Sequence, residues 1–167
     1  MPKVPPTALR GAFLLALLTL PLTACDRGDH PTRIGSPAPQ FIVTDADRTV
    51  DLTHLRGHVV ILNFWATWCP PCIDELPTLL ALQQRLPQIT ILAISEDDDP
   101  TEYHRFLADN HVDLLTLRDP SNRVPHLYGT LKIPESYVID RNGILRRKFV
   151  SAQNWTSPEI LDYLSKL

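Results

Sequence analysis

The sequence predicts an α/β domain in which a mixed central sheet is flanked by helices. Three observations carry this expectation. Two apolar runs, Val59–Trp65 and Ile89–Ser95, are rich in β-branched and aromatic residues, as strands buried on both faces are. Each is followed by a segment with helical spacing. A turn-forming Arg141-Asn142-Gly143 then joins two late strand signals, and Ser157-Pro158 opens a final helix. Strands alternating with helices, then a hairpin, then a helix, place both parallel and antiparallel pairs in one sheet.

The elements follow in order. Phe41–Thr44 and Thr49–Asp51 read as a hairpin around Asp45–Arg48. Leu52–Arg56 reads as one helical turn closed by Gly57. After the strand Val59–Trp65, a helix is expected over Cys69–Leu86, because Ile73, Leu76, Leu79 and Leu80 recur at three- and four-residue intervals; Pro77 should kink it. Strand Ile89–Ser95, a helix from Pro100 to Asn110 and strand Leu114–Arg118 come next. A short helix over Ser121–Tyr128 should end at Gly129. Ser136–Asp140 and Ile144–Val150 form the late hairpin, and Ser157 caps the last helix. The acidic run Glu96–Asp99 reads as a solvated loop, because nothing nearby completes an oxygen cage for a cation.

Composition narrows the function. With 167 residues, 44% hydrophobic and 21% charged, the chain suits one globular domain with a tail. Sixteen Lys and Arg against 19 Asp and Glu leave a net charge of −3, so no basic excess recommends a nucleic-acid partner. Three cysteines are too few to staple a scaffold, and a chain of this length buries a core without them. They point to chemistry instead of architecture.

The N-terminus reads as an address label. Lys3 and Arg10 precede the apolar run Gly11–Leu20, which is shorter than the ~20 residues that span a bilayer comfortably, and Leu22-Thr23-Ala24-Cys25 closes it. This tetrapeptide resembles the bacterial lipobox, which implies a signal peptide over residues 1–24 and lipidation of Cys25. Several acyl chains on one residue would exceed the two-signal threshold for stable anchoring. Asp26 directly follows Cys25, a pattern associated in enterobacteria with retention in the inner membrane. Residues 25–39, rich in Pro, Gly and charge, read as the lipidated Cys and a flexible tether, leaving 40–167 as the domain.

Asn63-Phe-Trp-Ala-Thr-Trp-Cys69-Pro-Pro-Cys72 carries the chemistry. Two cysteines at this spacing open a helix after a buried strand, where unpaired N–H groups and the helix dipole stabilise a thiolate. The thiolate is the species that performs thiol–disulfide exchange. Cys69, at the helix mouth, is expected to be the exposed nucleophile, and Cys72, a turn further in, the more buried resolving thiol. Pro70 and Pro71 suit the first turn yet withhold N–H donors from Cys69, which favours a reductant over a strong oxidant.

These residues, with Glu75 and Pro77, resemble the membrane-tethered thioredoxin-like proteins of the TlpA/ResA type over about residues 36–167. The resemblance implies a thioredoxin-like three-layer fold with an N-terminal β-hairpin and a central βα insertion. It also implies extracytoplasmic thiol–disulfide exchange through a dithiol with no bound cofactor. Glu75 matches the acid that helps move protons for the thiols in such proteins, and Asn63 stands where thioredoxin carries a buried Asp. Ile133-Pro134 matches the cis-proline loop, whose backbone pairs with an extended client chain. Pro134–Asp140 is similar to a stretch of the cytochrome c maturation reductase CcmG, although Pro134-Glu135 departs from the Pro-Thr of thioredoxin. Trp65 is expected in the core and Trp68 on the surface, as a platform beside the thiols.

The implied partners are client proteins with disulfides, apocytochrome c among them, a membrane thiol reductant as electron donor, and the bilayer through Cys25. The soluble part is expected to be a monomer in the bacterial cell envelope, facing the periplasm or extracytoplasmic side. Four alternatives compete with this reading. A disulfide oxidase or isomerase uses the same chemistry in another direction. A thiol peroxidase shares the fold, but Trp65 and Cys69 stand where its reactive-Cys pattern would lie. A metal-binding lipoprotein lacks ligands: two Cys are available, and His30, His54, His58, His104, His111 and His126 have no ligand spacing. A copper chaperone would need a wider Cys spacing.

Overall fold

A computed structural model describes residues 1–2, 33–46 and 48–167. Residues 3–24 of the expected signal peptide and Cys25 therefore lie outside the described residues, as do residues 26–32 of the expected tether. The elements are β1 (Ile42–Thr44), β2 (Thr49–Asp51), a 3₁₀ turn (Leu52–Leu55), β3 (Val59–Trp65), α1 (Pro70–Arg85), β4 (Ile89–Ser95), α2 (Pro100–Asp109), β5 (Leu115–Arg118), α3 (Arg123–Leu127), β6 (Glu135–Ile139), β7 (Leu145–Val150) and α4 (Pro158–Ser165).

β1 and β2 form a separate antiparallel hairpin, and the main sheet runs β5-β4-β3-β6-β7. β3, β4 and β5 are mutually parallel, while β6 and β7 run antiparallel to their neighbours. The β4–α2–β5 crossover supplies the expected central insertion. Every residue of β3 is buried, which is why its sequence shows no alternation.

Side-chain parity on β3 separates two cores. Val60, Leu62 and Phe64 pack with the hairpin residues Phe41, Val43 and Val50 and with Val124 and Tyr128 around α3. Val59 and Ile61 point the other way, against Leu76, Leu79 and Leu82 of α1 and Ile160 and Leu164 of α4. Truncating a fully buried leucine such as Leu82 would cost about 2–5 kcal/mol. The three layers are thus hairpin with α3, sheet, and α1 with α4.

Local chemistry sets the ends of the helices. Asp99 caps α2 by accepting from the Thr101 and Glu102 N–H groups, and Ser157 caps α4 by accepting from the Ile160 N–H; each is followed by Pro at the first helical position. The β6–β7 turn closes through Gly143 at φ +72°, a conformation that other residues rarely take. Helix α1 runs without interruption across Pro77, which lies on its exposed side.

One expected boundary shifts. The composition extends the tether to Pro39, but its last residues are docked on the β6–β7 turn. Gly35 N–H donates to the Leu145 carbonyl (2.7 Å), Leu145 N–H to that of Ser36 (2.9 Å), and Ala38 N–H to that of Gly143 (2.9 Å). Ala38 is buried in the first core, and the Tyr128 hydroxyl donates to the Pro39 carbonyl at 2.8 Å. Pro- and Gly-rich composition here marks an extended edge segment that pairs with its neighbour, not free chain.

Candidate active site

The loop Ala66–Trp68 leaves β3 and delivers Cys69 to the N-cap position of α1, with Pro70 and Pro71 in the first turn. Cys69 and Cys72 are joined by a disulfide with Cα atoms 5.3 Å apart. No side chain caps this helix. A capping side chain accepts from the second or third helical N–H. Here the second helical residue is Pro71, and the Cys72 N–H already donates to the Cys69 carbonyl at 3.0 Å.

Aspartate fixes the approach to the cysteines. Asp97, buried after β4, accepts from the Thr67 N–H (3.0 Å), the Thr67 hydroxyl (2.6 Å) and the Ser95 hydroxyl (2.5 Å). The acidic run is therefore not wholly solvated: Asp98 and Asp99 are exposed, Asp97 is not. Its burial is tolerated because each donor around it is paired. Among the described residues, no group of three or more His, Cys, Asp or Glu side chains is assembled as a metal site requires.

The expected contrast in exposure between the two cysteines does not hold in the disulfide form. Cys69 is 4% exposed and Cys72 3%. The reason lies opposite, in the loop preceding β6. The Ile133–Pro134 peptide is cis, and the Ile133 carbonyl oxygen sits 3.8 Å from Cys69 Sγ. Trp65, Ala66 and Tyr103 share one buried cluster with the two cysteines, and Ile133 packs against it. Trp65 is thus core, whereas Trp68 is 63% exposed on the rim, with Pro70 and Pro71 exposed beside it.

Glu75 lies one helical turn beyond Cys72 on the same face of α1 and is 2% exposed. Trp155, from the loop between β7 and α4, donates its indole N–H to Glu75 Oε1, while Oε2 is buried without a hydrogen-bond partner. Burial pushes the carboxyl up from 4.5 to about 7, and the Trp155 hydrogen bond and the Gln153 backbone oppose it only in part. Asn63, also buried, donates from Nδ2 to the Ser136 hydroxyl at 2.9 Å across β3 and β6. On the other face of β6, Glu135 pairs with Lys148 at 2.9 Å and lies 3.1 Å from the Tyr137 hydroxyl.

The sequence therefore marks Cys69, Cys72, Glu75, Ile133 and Pro134, and the fold brings them together. It gives no sign of Trp155, 80 residues from its partner Glu75, or of Asp97 as the anchor of Thr67. A buried Trp seeks an acceptor for its N–H, and that is the one signal that Trp155 offered.

A dithiol–disulfide pair at a helix N-terminus, facing a cis-proline loop on a thioredoxin-like fold, defines a thiol–disulfide oxidoreductase. The chain belongs to the AhpC/TSA family, whose model matches residues 34–148. It is 30% identical over 138 residues to the thiol-disulfide oxidoreductase ResA of Bacillus thuringiensis (strain Al Hakam), covering 81% of this chain and 79% of the relative. It is 33% identical over 129 residues to the thiol:disulfide interchange protein DsbE of Pseudomonas fluorescens biotype C, covering 75% and 71%. Among solved structures, a DsbE-type thiol:disulfide interchange protein from Chlorobium tepidum superposes with a TM-score of 0.71 at 29% identity, over 81% of this chain and 94% of that one.

Proposed function

We propose that this oxidoreductase is a lipid-anchored, extracytoplasmic disulfide reductase. The observation that carries the direction of exchange is the start of α1. Pro70 and Pro71 leave Cys69 without the capping N–H bonds that would strongly stabilise its thiolate, and no His, Lys or Arg stands between the cysteines. A weakly stabilised reduced form favours giving electrons over taking them.

In this reading the Cys69 thiolate attacks one sulfur of a client disulfide, and the other client sulfur leaves with the bonding electron pair. Cys72 then attacks Cys69 Sγ, the client's second sulfur departs, and the protein ends as the Cys69–Cys72 disulfide. Two electrons have passed to the client. Glu75 takes the proton that Cys72 must lose, a role suited to a carboxyl that titrates near neutrality. Ile133 and Pro134 present backbone to an extended client segment, and Trp68 offers it an apolar platform. No cofactor enters the cycle; a membrane thiol reductant restores the dithiol.

The anchor rests on Leu22-Thr23-Ala24-Cys25. In this reading lipid on Cys25 supplies the membrane contact; among the described residues no helix is long and apolar enough to cross a membrane. Apocytochrome c is the candidate client, on the likeness of Pro134–Asp140 to a cytochrome maturation reductase. A redox titration in glutathione buffers, followed by Trp fluorescence, tests the direction. A potential near the thioredoxin value of about −270 mV is expected; one near the DsbA value of about −120 mV would make the protein an oxidase.

A further inference from the structure

Glu75 is held by a residue from the far end of the chain. Trp155 is fully buried, and its ring meets Phe149 edge-on, with centroids 5.1 Å apart and planes at 67°. Its indole N–H reaches Glu75 Oε1. A second tie lies one turn along the helix. The Thr78 hydroxyl is 2.8 Å from the Glu75 carbonyl and 3.2 Å from that of Gln153, and it accepts from the Trp155 backbone N–H at 3.2 Å. Helix α1 and the loop after β7 are thereby joined at the carboxyl and beside it. The backbone tie fixes where the Trp155 side chain starts, and the ring cannot swing away without breaking its bond to Glu75.

This arrangement treats the two carboxyl oxygens differently. Oε1 is occupied by a group that only donates, and Oε2 is enclosed and unpartnered. We propose that Trp155 is a positioning residue for the exchange reaction: by holding Oε1 it leaves Oε2 as the acceptor for the Cys72 proton. The inference rests on the reading of Glu75 as proton carrier. As Cys72 sulfur bonds to Cys69 Sγ, its proton passes to Oε2, and the client sulfur leaves with the electrons of the broken S–S bond. The indole loses no proton at any stage. Because an N–H bonds more strongly to a carboxylate than to a carboxylic acid, it also limits how far burial raises the carboxyl's proton affinity.

The surroundings contain few competing charges. On α1 the neighbouring ionisable group is Cys72. β3 and β6 turn the uncharged Asn63 and Ser136 toward the α1 side of the sheet. On that side of β7, Arg147 lies over Phe149 and Tyr163 and pairs with Glu159 of α4 at 3.5 Å.

The test compares Trp155→Phe, which keeps an aromatic ring against Phe149 but removes the donor, with Glu75→Gln and with the double variant. The reduced proteins are mixed with dithiobisnitrobenzoate, and release of the second thionitrobenzoate, which reports attack by Cys72, is followed against pH. In the wild-type protein the rate is expected to rise through the Glu75 titration. Trp155→Phe moves that midpoint upward by about one pH unit, the size expected for loss of a hydrogen bond to a charged group. Glu75→Gln removes the limb, and the double variant behaves as Glu75→Gln alone.

A midpoint unmoved in Trp155→Phe, with the limb still lost in Glu75→Gln, overturns the role of Trp155 and leaves Glu75 as proton carrier. A limb that survives Glu75→Gln overturns both. Should Trp155→Phe fail to fold, the wild-type indole N–H resonance of Trp155 decides. A shift with the Glu75 midpoint that vanishes in Glu75→Gln supports the proposal, and a flat resonance overturns it.

Discussion

Cys69 and Ile133 stand 64 residues apart in the chain, yet the cysteine sulfur lies 3.8 Å from the isoleucine carbonyl oxygen. A disulfide sulfur has no proton to donate, so this is a contact that covers the sulfur and not a hydrogen bond. Access for a client is therefore set by the rim, where Trp68 is 63% exposed.

Trp68→Ala is expected to slow exchange with protein disulfides about tenfold while leaving reaction with a small disulfide reagent unchanged. Little packing is lost at so exposed a position, and stability should stay within about 0.5 kcal/mol of wild type. Parallel kinetics with a reduced-and-reoxidised protein client and with dithiobisnitrobenzoate check this. Equal slowing of both reactions would place Trp68 in the chemistry and not on a docking surface.

Glu75 makes stability depend on pH. Its folded-state carboxyl titrates near 7 against 4.5 when unperturbed, so the folded protein binds this proton more tightly than the unfolded chain. Stability contributed by the neutral form is complete below about pH 4.5, declines as pH rises toward 7, and is gone above it. Glu75→Gln escapes this loss. Its advantage over wild type in the disulfide form should grow between those two pH values to at most about 3 kcal/mol, then level off. Urea denaturation across the pH series reads the difference; parallel curves would show that Glu75 ionises freely.

Asp97 holds the loop that presents Cys69. Asp97→Ala strands the Thr67 N–H and hydroxyl and the Ser95 hydroxyl, and is expected to cost about 1–3 kcal/mol. Denaturant midpoints measure the cost. An unchanged midpoint would mean that water replaces the carboxylate without penalty.

What the sequence made legible was local. β3 and β4 announced themselves as unbroken β-branched runs, Ser157 as a cap before proline, and Asn142-Gly143 as a turn. Cys69 and Cys72 were legible because their chemistry depends on spacing at one helix end. The features that escaped depend on contacts between distant segments. Nothing around Trp155 announces Glu75, and Asp97 looks like its exposed neighbours until β4 and β3 are aligned, with Ser95 beside Trp65. Likewise, residues 35–39 pair with the β6–β7 turn through backbone groups, which composition does not reveal.

The roles of the two cysteines are tested most directly by trapping. Reduced Cys72→Ser and Cys69→Ser proteins are each mixed with a disulfide-bearing client, and adducts are resolved by non-reducing electrophoresis and mass spectrometry. With Cys69 as nucleophile and Cys72 as resolving thiol, the Cys72→Ser protein should accumulate a mixed disulfide through Cys69, and the Cys69→Ser protein none. An adduct recovered from Cys69→Ser alone would contradict the account.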